Sequence, residues 1–353
     1  MPYHGHSQDE ECMSRFLAER IEREGETIVA LRDSQTGAEA LVWPALGNNC
    51  FVARLPHPSK PDRLVELLLA PPSLEDLRRE PSHWGIPLLW PFPSHMPGGV
   101  YTFQGKEHRF QRQGHGFVLH KPWTAGAMQS GDDSALTTSV FDSADHSETH
   151  EEFPFPYRVE AEYALDGGGL RLTLRVVNTG DGQLPFGYGA HPYFQLPLGP
   201  AGDRSACRVR VPAARRWNGQ ALRAVSEGVV APWEELCPRI VPELDLRAAL
   251  PLREKLFDGV WTELTLLGGL VECVAEDPAN GVAAVMRATP NHTNVTVYTP
   301  AWASSVCFEP WTCPPNAFNL AAHGVPGHGL TVLQAGEEWA GTMWLSLEPL
   351  GAQ

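Results

Sequence analysis

Residues Leu170–Val177 alternate apolar and polar side chains with period two, the pattern of a strand with one face on a core and one on water. Val159–Leu165 repeats the pattern and runs into Asp166-Gly-Gly-Gly, a turn. Val271–Glu276 and Gly281–Arg287 flank Asp277-Pro-Ala-Asn-Gly, which predicts a hairpin with a Gly-closed loop. Asn294–Tyr298 and Trp339–Leu347 read as further strands. Helical signals are few. Ser14–Glu24 places Phe16, Leu17 and Ile21 at helical spacing and meets Gly25, a stop signal. Ser73–Glu80 begins with an N-cap Ser and carries Asp76 three residues on, a variant of the capping box. Neither helix is long enough to organise a core, and no repeat or Ser/Gly-rich linker divides the chain. The expectation is an all-β, mostly antiparallel fold with few short helices: one domain over residues 27–353 behind a polar N-terminal extension, residues 1–26.

Composition narrows the function classes. Glycine (33) and proline (32) are spread as punctuation, which suits many short strands joined by turns. With 27 basic and 42 acidic residues the formal charge is −15, which argues against a nucleic-acid partner because phosphate binding needs clustered cations. No apolar run approaches the ~20 residues of a membrane span. The first residues, MPYHGHSQDEE, lack the basic start and apolar stretch of a signal peptide. A soluble, cytoplasmic protein is expected. The seven cysteines (Cys12, Cys50, Cys207, Cys237, Cys273, Cys307 and Cys313) form no CxxC pair and read as buried, reduced thiols. Asn291-His-Thr and Asn294-Val-Thr fit the glycosylation pattern, which means little without a secretory signal.

Familiar catalytic signatures are missing: no GxGxxG after a strand, no phosphate-binding loop, no HExxH and no GxSxG. Three sites remain. His115 lies in Gly114-His-Gly-Phe, where the glycines let backbone approach a ligand. His191 lies in the aromatic, Gly-rich Phe186-Gly-Tyr-Gly-Ala-His-Pro-Tyr-Phe. Glu309 is the only carboxylate in Val306-Cys-Phe-Glu-Pro-Trp-Thr-Cys-Pro-Pro-Asn-Ala-Phe. A carboxylate there is either buried and paired or lines a pocket, because burying it alone costs several kcal/mol. Composition and spacing alone reach a β protein with a candidate His/Glu acid–base site.

Gly189-Ala-His191-Pro-Tyr-Phe resembles the G-x-H-P-Y-F segment of the aldose 1-epimerases, the galactose mutarotase-like family. Glu309-Pro, followed by Cys313-Pro-Pro-Asn-Ala-Phe-Asn, is similar to the carboxylate segment of that family's bacterial branch. His115-Gly-Phe with Trp123 behind it resembles the family's first histidine segment. Leu256-Phe-Asp-Gly-Val-Trp resembles the stretch carrying a substrate-binding Asp, which maps to Asp258. All four occur in family order, within family-like texture from about Ala38 to Glu348. The resemblance implies a β-supersandwich with an open sugar cleft and a mechanism without cofactor, metal or covalent intermediate. It assigns Glu309 as base, His191 as acid and His115 as a second donor. Near neutral pH a carboxylate and an imidazolium suit those roles.

Two positions depart from the family pattern. Ser94-His-Met-Pro-Gly-Gly puts His95 where members commonly carry a sugar-contacting Arg. His can still donate a hydrogen bond but lacks the forked guanidinium. Leu119 stands where the hexose-6-phosphate 1-epimerase branch usually has Arg, followed by His120 and Lys121. Losing both arginines, in a chain this acidic, argues for a neutral, unphosphorylated small-molecule sugar. The alternatives are a carbohydrate-binding or sensing protein on the same scaffold, or a hexose-6-phosphate 1-epimerase. A metal enzyme using His115, His120, His191 and Glu309 is a weaker reading, since no H-x-H cluster with a nearby Glu, usual in cupin-like sites, occurs in the core. Trp90, Trp302 and Trp311 are candidates for a stacking platform or for core packing. A monomer or homodimer is expected.

Overall fold

Burial along the strands follows the sequence alternation. In Ser134–Asp142 every second residue is buried, and Gly169–Asn178 alternates in the same way from Leu172 onward. The structure, a computed structural model, describes residues 14–350. Each strand foreseen from the pattern is present: Tyr157–Asp166, Gly169–Asn178, Val271–Asp277, Val282–Ala288, Asn294–Tyr298 and Glu338–Pro349. The Val271–Asp277 and Val282–Ala288 hairpin closes on Gly281, whose φ of 68° suits glycine.

The strands form three large antiparallel sheets. A five-stranded meander runs in chain order from Phe16–Arg23 to Lys60–Glu66. A nine-stranded sheet holds Gly169–Asn178 between Tyr157–Asp166 and Glu338–Pro349. A seven-stranded sheet is centred on Asn294–Tyr298 and Ser305–Trp311. One buried apolar cluster draws on all three: Val29 and Val42, then Leu172 and Met286, then Val297 and Phe308. Trp90 lies inside that cluster, fully buried with its ring 4.6 Å from Phe186, so it is a core aromatic and not part of a sugar platform.

The helix expected over Ser14–Glu24 is a strand, Phe16–Arg23, paired along its length with Glu26–Asp33. Glu24 and Gly25 both have positive φ (52° and 81°) and form the two-residue loop between Arg23 and Glu26. That loop matches the twist of a hairpin, so the Gly25 signal marks a tight turn and not a helix end. The extension drawn to residue 26 therefore ends too late, since residues 16–26 belong to the five-stranded sheet. The second helix is present as Leu74–Arg79, with Ser73 Oγ accepting from the Asp76 N–H at 3.1 Å and Leu74 and Leu77 buried. The six cysteines among the described residues are buried and unpaired, and Cys12 lies outside them. No helix among the described residues is long and apolar enough to cross a membrane.

Candidate active site

Strand parity and register build the site. Ser305–Trp311 is buried on both faces. Val306 and Phe308 enter the core cluster, so Cys307, Glu309 and Trp311 share the opposite face. Gly189 pairs with Trp311 and Tyr193 pairs with Cys307, which sets the residue midway, His191, opposite Glu309. On the other flank Thr296 pairs with Glu309 and Tyr298 with Cys307. Gly189 is required in this arrangement because a Cβ there would collide with the Trp311 indole.

His191 Nε2 lies 3.2 Å from Glu309 Oε1, and the two residues are 5% and 1% exposed. The Tyr193 ring stacks on the His191 imidazole at 4.5 Å, with its hydroxyl 3.5 Å from Nε2. Glu309 Oε2, His191 Nδ1, Thr296 Oγ1 and Trp311 Nε1 are buried without hydrogen-bond partners. Buried polar atoms are rarely left this way, and four around one pocket leave capacity for a polyhydroxylated ligand.

His115 enters from a separate loop. Its φ is 63°, and the following Gly116 has a φ of 65°, where a Cβ would fall on the Trp90 carbonyl oxygen. The loop can therefore press onto Trp90 only with glycine at 116. His115 Nδ1 is 2.9 Å from the Pro93 carbonyl oxygen, which fixes the proton on Nδ1 and leaves Nε2 as the free atom of the neutral ring. Ring centroids step from His95 to His115 (5.8 Å) and from His115 to His191 (5.7 Å). His95 is exposed at the rim, its ring resting on Gly114.

These side chains line a cleft of about 250 Å³ that also takes in Asp258, Thr296 and Tyr298. All five residues expected from the sequence, Glu309, His191, His115, Asp258 and His95, meet there. Asp258 opens the strand Asp258–Leu264 and is exposed. Of the tryptophans, Trp311 lines the cleft, whereas Trp302 is exposed and stacks on His83 at 4.7 Å. Leu119 packs in a separate apolar cluster with Trp217 and Trp311.

Burial sets the electrostatics. It pushes the Glu309 carboxyl well above the usual carboxylate range, and the Asp258 carboxylate adds to the effect. Burial pulls His191 well below the ordinary imidazole value, with His115 adding to it, and pulls His115 down as well. The pair thus favours a neutral carboxylic acid beside a neutral imidazole. Burial also raises the Tyr193 and Tyr298 phenols, which remain hydroxyl donors. His191, Cys307 and Glu309 hold their ligand atoms within 4.8 Å of one another, a set able to hold a metal ion. Burial pushes the Cys307 thiol up, against the deprotonation a metal ligand needs.

The aldose 1-epimerase family model matches residues 52–346. The chain belongs to the aldose 1-epimerase family. It is 27% identical over 267 residues to YphB, an uncharacterised protein of Escherichia coli K12, covering 74% of this chain and 82% of that one. A galactose mutarotase-like protein from Clostridium acetobutylicum has the same fold, with a TM-score of 0.79 and 21% identity over 95% of this chain and 99% of the other. A GalM/aldose epimerase homologue from Caenorhabditis elegans superposes with a TM-score of 0.68 at 12% identity, over 95% and 100% of the two chains. The aldose 1-epimerase fold thus accounts for the sheet architecture expected from the motifs.

Sequence reasoning missed Tyr193, Thr296 and Tyr298 as cleft residues. The signal was parity: counted by twos along their strands, they fall opposite Cys307 and Glu309. In this aldose 1-epimerase family member the sheet, more than any loop, positions the His191–Glu309 pair.

Proposed function

We propose that the protein is an aldose 1-epimerase interconverting the α and β anomers of a free, unphosphorylated aldose. The buried Glu309–His191 pair, opposed at 3.2 Å with one atom of each left without a partner, carries the reading. Ring opening moves two protons: one leaves the anomeric O1 and one reaches the ring oxygen. The pair holds one proton between its members. With that proton on His191, Glu309 is a carboxylate and takes the O1 proton while the imidazolium protonates the ring oxygen. What remains is a carboxylic acid beside a neutral imidazole, the arrangement that burial favours.

The open-chain aldehyde rotates about C1–C2 and the pair closes the ring with roles exchanged. Glu309 returns its proton to the carbonyl oxygen and His191 takes one from the attacking hydroxyl. No proton is gained or lost over the cycle. His115 was expected as a donor; with Nδ1 held by Pro93, its neutral ring offers Nε2 as an acceptor for a sugar hydroxyl. Asp258 accepts from further hydroxyls, and the Tyr193 and Tyr298 phenols donate. Six buried, unpaired thiols agree with a reducing, cytoplasmic setting. His191→Gln tests the acid: exchange between anomeric proton signals, read by magnetisation-transfer NMR, should fall about 10²-fold. Undiminished exchange would sink the assignment, and saturable sugar binding with no exchange in the wild type would favour a sugar-binding protein.

A further inference from the structure

A second compartment of about 260 Å³ opens off the acid–base pocket and shares Ser94, His95, Asp258, Thr296 and Trp311 with it. His191, Glu309 and His115 do not line it. Two cations do: Arg216 and Arg223. Arg216 ends the strand Ala213–Arg216 and lies flat across Gly259 on the adjoining strand, where a Cβ would overlap the guanidinium. Its guanidinium carbon sits 5.1 Å from the Trp261 ring centroid, and Nη2 donates to the Asp258 carbonyl at 2.7 Å. Arg216 Nε is buried with no acceptor. Among the described residues neither arginine pairs with a carboxylate, although Arg215, the neighbour of Arg216, holds both Glu234 and Glu263. The Asp258 carboxylate acts on the Arg216 charge from across the compartment without forming an ion pair, so the guanidinium keeps unfilled donors that a ligand can engage.

We infer that this compartment takes a carboxylate carried on the aldose chain away from C1, so that the substrate class is an aldose of the hexuronate type. The inference rests on the epimerase reading for the C1 end. A planar guanidinium fixed by Gly259 and Trp261 matches a carboxylate through two parallel hydrogen bonds. A phosphate dianion fits less well, because the Asp258 carboxylate lines the same space and Arg223 is exposed. The neutral sugar expected from the sequence missed Arg216 because the strand pairing brings it to Asp258 from 42 residues away.

The test compares glucose, glucuronate and glucose 6-phosphate by anomeric magnetisation exchange and by calorimetric binding. Wild type should favour glucuronate over glucose by tenfold or more in kcat/KM. In Arg216→Met that ratio should collapse by at least tenfold. Gly259→Ala, which keeps the arginine but displaces it, should do the same, and Arg216→Lys should give an intermediate ratio. A ratio near one in the wild type, or one unmoved in both variants, overturns the subsite. A preference for glucose 6-phosphate overturns the carboxylate. If no sugar exchanges, the epimerase reading fails by itself. Tenfold tighter glucuronate binding, lost in Arg216→Met, would still support the subsite, and equal affinities would end it.

Discussion

Asp33 and Glu309 are carboxylates with almost the same exposure, 2% and 1%, in opposite electrostatic states. Asp33 accepts from Arg15 Nε at 3.0 Å and Nη2 at 2.7 Å, from the Gln35 N–H at 3.0 Å and from the Thr36 hydroxyl at 2.8 Å. Those donors, the Arg15 guanidinium foremost, hold its pKa down to about 2. Glu309 has an imidazole at 3.2 Å, a second carboxylate nearby and an oxygen with no partner, so its carboxyl is pushed up. Burial alone therefore does not mark a reactive carboxylate. Unfilled hydrogen-bond capacity facing a cleft is what separates the two, and a ligand can fill it.

The largest expected effect separates the two groups by function. Glu309→Gln should lower turnover about 10²-fold or more, near 3 kcal/mol in the barrier, while thermal stability holds or rises. A Glu309→Gln protein that unfolds at markedly lower temperature would make Glu309 a structural residue like Asp33. Asp33→Asn should do the converse: about 2 kcal/mol lost in denaturant unfolding, because the charge-assisted bonds from Arg15 lose their acceptor charge, with turnover of the folded protein retained.

The pH dependence should also differ in sign. Asp33, depressed from 3.8 to about 2, contributes about 2 kcal/mol of stability above pH 3.8, lost as pH falls through about 2. Glu309 is raised, so the folded state holds a proton that the unfolded chain has released. Its contribution falls as pH climbs above 4.5, and unfolding of Glu309→Gln across a pH series should lack that decline. Because burial raises Glu309 and lowers His191, the pair carries one proton across neutral pH, and kcat/KM should stay flat through the interval around the ordinary imidazole value of about 6.5. A sharp inflection inside that interval would mean that the two groups titrate independently. The smallest effect belongs to His95→Arg at the rim, which should lower KM about threefold for an aldose that reaches it.

Much of the fold was legible because burial imposes period two on the sequence: Leu170–Val177 and Asn294–Tyr298 were read directly as strands. Phe16–Ile21 misled because three apolar residues fit helical spacing as well as an edge strand. The Glu24-Gly25 turn and the pairing to Glu26–Asp33 decide the matter. The cleft pair was legible through motif resemblance, since His191 and Glu309 are 118 residues apart and only register makes them neighbours. Arg216 was not legible, because its meaning comes from lying across Gly259 on another strand. Trp90 was ambiguous for a related reason: sequence context cannot tell an aromatic behind a sheet from one in front of it.

The most direct measurement is magnetisation exchange between the α and β anomeric proton signals of free aldoses, with wild type and Glu309→Gln against a spontaneous-mutarotation blank. Exchange should exceed the blank with wild type and fall to the blank with the variant, both proteins being folded. Equal acceleration by the two would rule out the mechanism, because the Glu309 carboxylate would then take no part in the chemistry.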